Sequence, residues 1–509
     1  MAKGKVYIIG AGPGDPGLIT VKGVRCLQEA DVIVYDHLVG EELLFHRKPS
    51  ARLVYAGKRG GNHTLSQDET NALLVEEASR GCIVARLKGG DPFLFGRGGE
   101  EAEVLAKAGI PFEVVPGVTS AVSVPAYAGI PLTYRGYTST IALVTGHEDP
   151  AKGRSDIDWQ SLAGMGTIVF LMGVRNLPQI TENLIRHGKN GQTPAALIRW
   201  GSTADQTTLT ADLGDIARLA EERGMLPPSL LVVGSVVNLR NLLNWFETKP
   251  LFGRGVVITR PDEQSVELSA LLWSKGARVI HFPTIKIEPP ASWSALDDAI
   301  ERLEAFDWLV FTSANGIHFF FRRMKDLGRD IRDLKGLRLC TIGPATADAL
   351  GRLGLPVDLL PDAYISEGVV EAFAGEDICG KRILVPRAEK ARDVIPEGLG
   401  ARGALVEIVA AYRTVNSGRS RVELETLYEA GKIDVITLTS PSTVQNLVEI
   451  MGPDHPLFGN VKIACIGPVT AAAARKAGLA IDILPDRYTI PDLVDALVRY
   501  YNRIEDSVA

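Results

Sequence analysis

The amino-acid sequence predicts an α/β protein whose sheets are mainly parallel. Short apolar runs alternate with longer amphipathic segments along the whole chain, and most runs end in glycine, proline or serine. Uninterrupted apolar runs are typical of strands buried on both faces, and their alternation with helical segments is typical of parallel sheets. The length of 509 residues is too great for one core and predicts three or four domains.

The predicted strands fall into two groups along the chain. The first group is "KVYIIG", "ADVIVYD", "CIVARLKG", "STIALVTG" and "GTIVFLMG", and the second is "GVVITRP", "FDWLVFTS", "LRLCTIGP", "KRILVPRA", "DVITLTS" and "VKIACIGP". Between them lies "NWFETKPLFGRG", residues 244–255, where a proline and two glycines indicate a boundary. We therefore predict one unit at 1–247, a linker at 248–254 and a second unit at 255–509.

The second unit contains an internal repeat. "TIGPATADALGRLGLPVDLLPDAYISEGVVEAF" begins at Thr341, and "CIGPVTAAAARKAGLAIDILPDRYTIPDLVDAL" begins at Cys465. The period is far longer than that of a solenoid, so the repeat indicates two similar domains. A cleft between two such domains is a natural binding site.

Composition excludes several classes of function. The formal net charge of -6 argues against nucleic-acid binding, and no apolar run approaches the ~18 residues of a membrane span. Five scattered cysteines and eight histidines without ligand-like spacing predict no disulfide framework and no metal site. The expectation is a reduced, cytoplasmic protein without a signal peptide.

The loop "GAGPGD", residues 10–15, resembles a dinucleotide-binding signature without matching it. Asp15 occupies the third glycine position, where a carboxylate repels a pyrophosphate, and Pro13 lacks an N–H for a phosphate. Asp36 at the end of "ADVIVYD" still mimics the ribose-binding acid, so a dinucleotide site and a bare strand-to-helix turn both stay open. A second loop, "RLKGGDPFLFGRGGEE", adds Gly89 and Gly90, which permit close approach, and a further acid, Asp91. Two such loops favour a nucleoside without phosphates.

The first unit resembles uroporphyrinogen-III C-methyltransferase of the tetrapyrrole methylase family. The motifs that carry the resemblance are "VYIIGAGPGDPGLITVKG", "DVIVYDHLV", "GKRGGNHTLSQDE", "RLKGGDPFLFGRGGEE", "VVPGVTSAVSVPAYAGIPLT", "VTGH" and "LNWF", over residues 4–247. The resemblance implies two α/β domains that hold S-adenosylmethionine between them, S-adenosylhomocysteine as product, and a homodimer. The cofactor contacts that it implies are Pro13, Gly89, Gly90, Asp91, Leu94, Thr119, Ser120, Met172 and Gly201. Leu94, Ser120 and the "RW" before Gly201 depart from the family's usual residues.

The same resemblance implies catalytic roles for Asp36 as proton acceptor and Lys58 as donor. A helix N-cap for Asp36 and a solvated or substrate-contacting Lys58 are the alternatives. Because the tetrapyrrole substrate carries carboxylates, arginines near the loops are candidate contacts, each equally able to form a structural ion pair. These arginines are Arg59, Arg86, Arg97 and Arg135.

The second unit resembles uroporphyrinogen-III synthase, which closes hydroxymethylbilane with inversion of its fourth ring. "GVVITRP", "FTSANGI", "TIGPATADAL", "VPRAEKARDVIPEGL", "VAAYRTV", "TLTSPSTVQNLV" and "ACIGPVTAAAARKAGL" carry the resemblance over residues 254–500. It implies two α/β domains, 255–286 plus 413–509 and 287–412, with crossings near Lys286 and Tyr412. Tyr412 is the candidate that assists departure of the bilane hydroxyl. The alternative is that Tyr412 only packs in the wall of the cleft. The candidate substrate contacts are Arg260, Ser313, Asn315, Arg387, Ser440 and Thr470, of which the serines are equally suited to cap helices.

The chain is therefore predicted to carry out two consecutive steps. The second unit forms uroporphyrinogen III, and the first methylates it twice to precorrin-2, towards sirohaem or cobalamin. Two alternatives stay open: a second unit that only binds a tetrapyrrole, and a methylase that acts on another corrinoid intermediate.

Overall fold

The computed structural model describes residues 4–57, 65–147 and 155–508. The strands of the first half are β1 (Lys5–Gly10), β2 (Val32–Tyr35), β3 (Arg52–Tyr55), β4 (Ile83–Lys88), β5 (Phe112–Val115), β6 (Ile141–Thr145), β7 (Thr167–Leu171), β8 (Pro194–Arg199), β9 (Thr207–Asp212) and β10 (Ser229–Val233). Its α-helices are α1 (Val21–Glu29), α2 (Gln67–Ser79), α3 (Gly98–Lys107), α4 (Ser120–Tyr127), α5 (Trp159–Ala163), α6 (Leu177–Arg186), α7 (Ile216–Glu222) and α8 (Arg240–Leu243).

The first half forms two sheets. The first sheet has the order β3-β2-β4-β1-β5 and is parallel throughout. Successive residues of its strands face opposite sides, so Ile9 lies in one apolar cluster and Ile8 in another. The second sheet has the order β6-β7-β10-β8-β9, and only β6 and β7 run parallel in it. The predicted α/β class is confirmed, but this second sheet is mixed where a parallel sheet was expected.

The second half contributes nine described strands and a further set of helices. The strands are β11 (Gly255–Ile258), β12 (Arg278–His281), β13 (Ile285–Glu288), β14 (Trp308–Phe311), β15 (Arg338–Thr341), β16 (Arg382–Ala388), β17 (Leu405–Asn416), β18 (Val435–Leu438) and β19 (Lys462–Cys465). The α-helices are α9 (Asp262–Ser274), α10 (Ser294–Glu301), α11 (Ala314–Asp326), α12 (Pro344–Gly351), α13 (Ser366–Ala372), α14 (Val394–Gly400), α15 (Arg421–Glu429), α16 (Pro441–Met451), α17 (Leu457–Asn460), α18 (Pro468–Lys476) and α19 (Ile490–Val508).

These strands form a third sheet, β12-β11-β18-β19, and a fourth, β13-β17-β16-β14-β15. The chain enters the fourth sheet through β13 and leaves it through β17, and these two strands pair antiparallel from Ile285 with Asn416 to Glu288 with Arg413. Lys286 and Tyr412 thus lie inside the crossing strands. The sheet boundary falls after Asn416, a few residues beyond the predicted end of the inner domain.

The internal repeat recurs in the packing of both sheets. An aspartate after each repeated helix accepts a strand amide: Asp358 from Leu339 at 2.7 Å and Asp482 from Ile463 at 2.9 Å. A Cβ on Gly343 would lie 3.2 Å from Tyr364, and one on Gly467 would lie 3.1 Å from Tyr488. The two Gly-Pro turns are therefore kept small by equivalent tyrosines.

Two further observations apply to the described ranges 4–57, 65–147 and 155–508. No helix there combines the length and apolar character required to cross a membrane. No group of three or more His, Cys, Asp or Glu side chains comes together there in a way that could hold a metal ion.

Candidate functional site

A pocket of about 740 Å³ lies between the first and second sheets. Its first side consists of residues 12–16 after β1, residues 37–42 after β2 and the glycines after β4. Its second side comes from residues 171–175 after β7 and 200–205 after β8. Because the carboxyl ends of parallel strands meet at one edge, the three loops of the first sheet converge there.

Glycines allow two of these loops to touch. The amide of Gly90 donates to the carbonyl of Gly12 at 2.7 Å, and the amide of Gly12 returns a bond at 3.2 Å. Both residues have positive φ, +80° at Gly12 and +68° at Gly90. A Cβ on Gly10 would lie 2.5 Å from the Cα of Gly117. The backbone itself therefore forms this wall, as a closely held ligand requires.

Most of the predicted cofactor contacts converge on this pocket. Those that line it are Pro13, Gly89, Gly90, Ser120, Met172 and Gly201. The other three, Asp91, Leu94 and Thr119, lie behind the lining. The carboxylate of Asp91 accepts from the amides of Phe93 at 2.8 Å, Leu94 at 3.1 Å and Gly117 at 3.0 Å. Asp91 thus holds the loop together from behind the lining.

Thr119 and Leu94 support the pocket in different ways. Thr119 is the N-cap of α4, and its hydroxyl accepts from the amide of Ala121 at 3.3 Å. Leu94 packs against an apolar cluster that includes Val124 and Ile198. Both of these neighbours line the pocket, so Leu94 shapes it from the rear.

The pocket is acidic. Its lining contains four carboxylates, Asp15, Glu41, Glu42 and Asp205, against two guanidiniums, Arg175 and Arg278. Burial raises the pKa of Glu42. Because Asp205 is paired with Arg278 and Lys432, the remaining excess of negative charge comes from Asp15, Glu41 and Glu42. This excess favours a cationic ligand and disfavours the diphosphate of a dinucleotide, which was the alternative left open by "GAGPGD".

Asp15, the residue that departs from the dinucleotide signature, is fixed by three contacts. It accepts from the Tyr127 hydroxyl at 2.6 Å and from the Gly17 amide at 2.7 Å, and its own amide donates to Ser202 at 3.4 Å. Burial and the bond to Asp15 raise the pKa of Tyr127, which keeps the hydroxyl a donor. Asp15 therefore ties the first glycine loop to both α4 and the loop after β8.

Asp36 follows β2 and belongs to an ion network. Its Oδ1 lies 2.7 Å from Nη2 of Arg86, whose Nε contacts Glu101 at 3.1 Å. Lys88 also contacts Glu101, at 2.8 Å, and burial lowers the pKa of Lys88. Asp36 does not cap the following 3₁₀ helix, which begins at Glu41 with Gly40 as its cap. The alternative of an N-cap is thus wrong.

The predicted arginines differ in their placement. Arg86 is only 4% exposed and forms ion pairs with Asp36 and Glu101. It therefore has the structural role that was the alternative to a substrate contact. Arg97 is exposed and pairs with Glu100 through two bonds of 2.9 and 2.7 Å. Arg135 is exposed. Lys58 and Arg59 lie outside the described residues.

Sequence reasoning missed several lining residues. They are His37, Glu42, His147, Arg175 and Trp200 from the first half, and Trp273 with residues 276–279 from the second half. His37 and His147 each follow a strand end, and Arg175 comes three residues after Met172. Position after a strand is the signal that could have identified these three and Trp200, whereas Trp273 lies in α9 and residues 276–279 lead into β12.

In the second half, three predicted residues meet around one hydroxyl. The Tyr412 hydroxyl lies 3.0 Å from Oγ of Ser313, and the side chain of Asn315 lies close enough to influence its pKa. Asn315 accepts from Nε2 of Gln264 at 2.9 Å, a contact from α9 beside the third sheet to α11 beside the fourth. The ring of Tyr412 stacks on Phe319 at 6.0 Å, and burial raises the pKa of Tyr412. The cluster thus lies where the two domains approach each other.

The remaining predicted contacts are mostly used within the fold. Arg387 is 9% exposed and donates to Asp393 at 2.5 Å and to a main-chain carbonyl, which corrects its expected substrate role. Thr470 is buried at 3% exposure. Ser313 and Ser440 cap α11 and α16, as the capping alternative predicts. Arg260 follows β11, and burial lowers its pKa.

Two family models match the sequence. The family described as "Tetrapyrrole (Corrin/Porphyrin) Methylases" matches residues 5–217, and "Uroporphyrinogen-III synthase HemD" matches residues 266–495. A "Porphyrin biosynthesis protein HemD" of Ruminiclostridium josui is 37% identical over 501 residues, 98% of this chain and 98% of the relative.

Two further matches cover the first half. An "S-adenosyl-L-methionine-dependent uroporphyrinogen III methyltransferase" of Methanosarcina barkeri is 53% identical over 241 residues, 47% of this chain and 94% of the relative. The solved structure of uroporphyrin-III C-methyl transferase from Thermus thermophilus complexed with S-adenyl homocysteine is 39% identical, covers 46% of this chain and 94% of that chain, and has a TM-score of 0.40.

The two family models and the relative from R. josui define an enzyme of tetrapyrrole biosynthesis that carries a methyltransferase domain and a synthase domain. The relative from R. josui extends over both halves. The chain belongs to the family of proteins that fuse a tetrapyrrole methylase to a uroporphyrinogen-III synthase.

Proposed function

We propose that the first half transfers two methyl groups from S-adenosylmethionine to uroporphyrinogen III and that the second half makes uroporphyrinogen III from hydroxymethylbilane. The observation that carries the proposal is the convergence of the two glycine loops, Met172 and Gly201 on one acidic pocket. The name of the M. barkeri relative supports the cofactor. We assign residues 1–247 to the methyltransferase and 255–509 to the synthase, each with two of the four sheets.

The residues of the pocket fit S-adenosylmethionine. The Gly12–Gly90 backbone bridge leaves no side chain between ligand and main chain, and a Cβ on Gly201 would lie 2.3 Å from Val124. Carboxylates in the lining complement the positive charges of the cofactor, which supplies an electrophilic methyl group when it is bound. Pro13, Met172 and Gly201 would hold it between the two sheets.

Asp36 is the proposed proton acceptor of the methylation. Its side chain is 29% exposed, so one carboxylate oxygen can contact solvent or substrate while Arg86 holds the other. A carboxylate in this position stabilises positive charge on the pyrrole ring and then accepts the proton that leaves it. The bond to Arg86 restricts the rotation of Asp36 and thereby orients it.

The test of Asp36 separates chemistry from cofactor binding. Asp36→Asn should lower methyl transfer by 10²-fold or more, the usual contribution of a positioned acid or base, with unchanged binding of S-adenosylhomocysteine in titration calorimetry. The matched control is Asp212→Asn, an exposed aspartate at the end of β9 and outside the pocket, which should retain full activity. Normal turnover of Asp36→Asn would reject the assignment.

In the second half, the Tyr412 hydroxyl is proposed to assist departure of the bilane hydroxyl. Its raised pKa keeps it protonated at neutral pH, and the hydrogen bond to Ser313 orients it. Confinement of the substrate in the cleft between the third and fourth sheets supplies the remaining catalysis. The Gln264–Asn315 contact, which brings α9 and α11 together beside Tyr412, supports this placement.

The isomer of uroporphyrinogen formed tests the synthase. The full chain without cofactor should convert hydroxymethylbilane into the type III isomer, whereas spontaneous closure gives type I. Tyr412→Phe should shift the product towards type I, while Tyr428→Phe, a tyrosine bonded to Asn460 outside the cleft, should not. Type I product from the unaltered chain would leave the second half as a binding module only.

A further inference from the structure

The synthase half forms part of the wall of the methylase pocket. Trp273 and residues 276–279, which lead from α9 into β12, line the same pocket as Pro13 and Gly201. Gly276 has a φ of +90°, and a Cβ on it would lie 2.9 Å from the side chain of Lys249 and 3.1 Å from Phe252. The turn is therefore packed directly on the segment that joins the halves.

An ionic contact fixes this turn to the pocket. Asp205, in the loop after β8, accepts from Arg278 at 2.6 and 3.2 Å and from Nζ of Lys432 at 2.5 Å. Burial alone raises the pKa of Asp205, but the bonds from Arg278 and Lys432 outweigh this effect and hold the pKa below its usual value. One carboxylate of the methylase half is thus paired with two cations of the synthase half.

The loop that carries Asp205 is held in an unfavourable conformation. Trp200 and Ser202 have positive φ values of 49° and 63°, a region that side chains other than glycine rarely adopt. Gly201, a proposed cofactor contact, lies between them. Within the methylase half, Gln206 ties the loop by accepting from the Ser202 amide at 2.8 Å. Strained backbone persists where the surroundings hold it firmly, and here part of that support comes from the other half.

A second contact reaches the opposite side of the pocket. The ring of Phe45, just after the lining segment 37–42, packs edge-on against His281 of β12 at 4.7 Å. The synthase half therefore contacts the continuation of one wall through His281 and the second wall through Arg278. Both contacts come from a single strand, β12.

We propose that the synthase half completes the cofactor pocket of the methylase half. The pairs of Asp205 with Arg278 and Lys432 keep the 200–205 loop in the conformation that presents Gly201 to the cofactor. Asp205 and Arg278 are positioning residues, and the affinity for the cofactor depends on the contact between the halves. The inference rests on the proposed function of this pocket.

Titration of S-adenosylhomocysteine into the full chain tests the inference. Arg278→Gln and Asp205→Asn should each weaken binding by about 5- to 100-fold, the usual range of coupling between sites. The double variant should bind less weakly than the two single losses combined would give, because both changes remove the shared Asp205–Arg278 pair. In methyl transfer, KM for the cofactor should rise while kcat at saturation is retained.

The matched control is Arg323→Ala. It removes a two-bond ion pair with Asp297, of similar burial, inside the synthase half, and should leave cofactor binding unchanged. Binding at wild-type strength by both Asp205→Asn and Arg278→Gln would overturn the inference while the proposed cofactor stands. Failure of the unaltered chain to bind would instead reject the proposed function, and the inference with it.

A measurement on the unaltered chain requires no variant. Since coupling between two sites is reciprocal, S-adenosylhomocysteine should slow hydrogen exchange in residues 273–281 of the synthase half. Peptides of the fourth sheet, which do not line the pocket, provide the internal reference. Bound ligand without added protection at 273–281 would contradict the proposal.

Discussion

Replacement of Glu101 by glutamine should destabilise the first sheet strongly. Glu101 is fully buried, and its Oε1 accepts from Nε of Arg86, Nζ of Lys88 and Nε2 of Gln67. With Asp36, these groups form a network of two anions and two cations. Glutamine has the same shape but leaves one positive charge uncompensated. Breaking a buried ion pair in this way costs about 3–5 kcal/mol.

Hydrogen exchange in the full chain measures this cost at the site. A tenfold change in an opening equilibrium corresponds to about 1.4 kcal/mol, so amides of β4 should exchange roughly 10² to 10³·⁵ times faster in Glu101→Gln. The double variant Glu101→Gln with Lys88→Met also removes one cation, so the network is again neutral. This variant should recover part of the stability that Glu101→Gln loses.

Glu100 provides the matched control. It is one residue away on the same helix, is 53% exposed and pairs with Arg97 at the surface, where such a pair contributes about 0–1 kcal/mol. Glu100→Gln should therefore change the exchange of β4 by a few-fold at most. Equal rates in Glu100→Gln and Glu101→Gln would refute the account of the network.

Two further predictions concern the contact between the two halves at β12 and the pocket of the first half. Burial and the positive charge of Arg419 lower the pKa of His281 from 6.5 to about 4. As the pH falls below 6.5, His281 therefore binds a proton in the unfolded chain before it does so in the folded chain, and the folded state loses stability. The free energy of unfolding at the contact between the two halves should fall by about 2 kcal/mol between pH 7 and pH 5. This loss should appear as faster hydrogen exchange of β12, and His281→Asn should abolish its pH dependence. Gly201→Ala should weaken the binding of S-adenosylhomocysteine at least tenfold, because the added Cβ would lie 2.3 Å from Val124 and force the loop to move. Unchanged affinity in calorimetry would show that the loop does not contact the ligand.

Most strands with continuous apolar runs could be predicted from the sequence, although β10, "SLLVV", was missed, and strands of other composition could not be predicted. Each run quoted as a strand, such as "KVYIIG" and "VKIACIGP", forms one. The exposed edge strand β9, "TTLTAD", is mostly polar, and β8, "PAALIR", begins with proline and contains two alanines, so neither has the expected pattern. The antiparallel pairing of β10 was unpredictable because a buried apolar run looks the same in either direction.

The place of the two glycine loops on one pocket was predictable because glycine and proline mark the ends of strands. Pro13 and Gly90 lie where "GAGPGD" and "RLKGGD" place them, on one pocket. The parts contributed by packing were not predictable. Arg278 is 73 residues from Asp205, and nothing local in either sequence indicates that they pair. Similarly, the burial of Arg86 and Arg387 depends on neighbours that only the fold supplies.

The most direct test of the two linked activities uses the intact chain under anaerobic conditions. Hydroxymethylbilane and S-adenosylmethionine are supplied together, and the product is identified by mass and by isomer. We expect a type III macrocycle that has gained two methyl groups. An unmethylated type III product would contradict the function of the first half, and a product of type I alone would contradict that of the second.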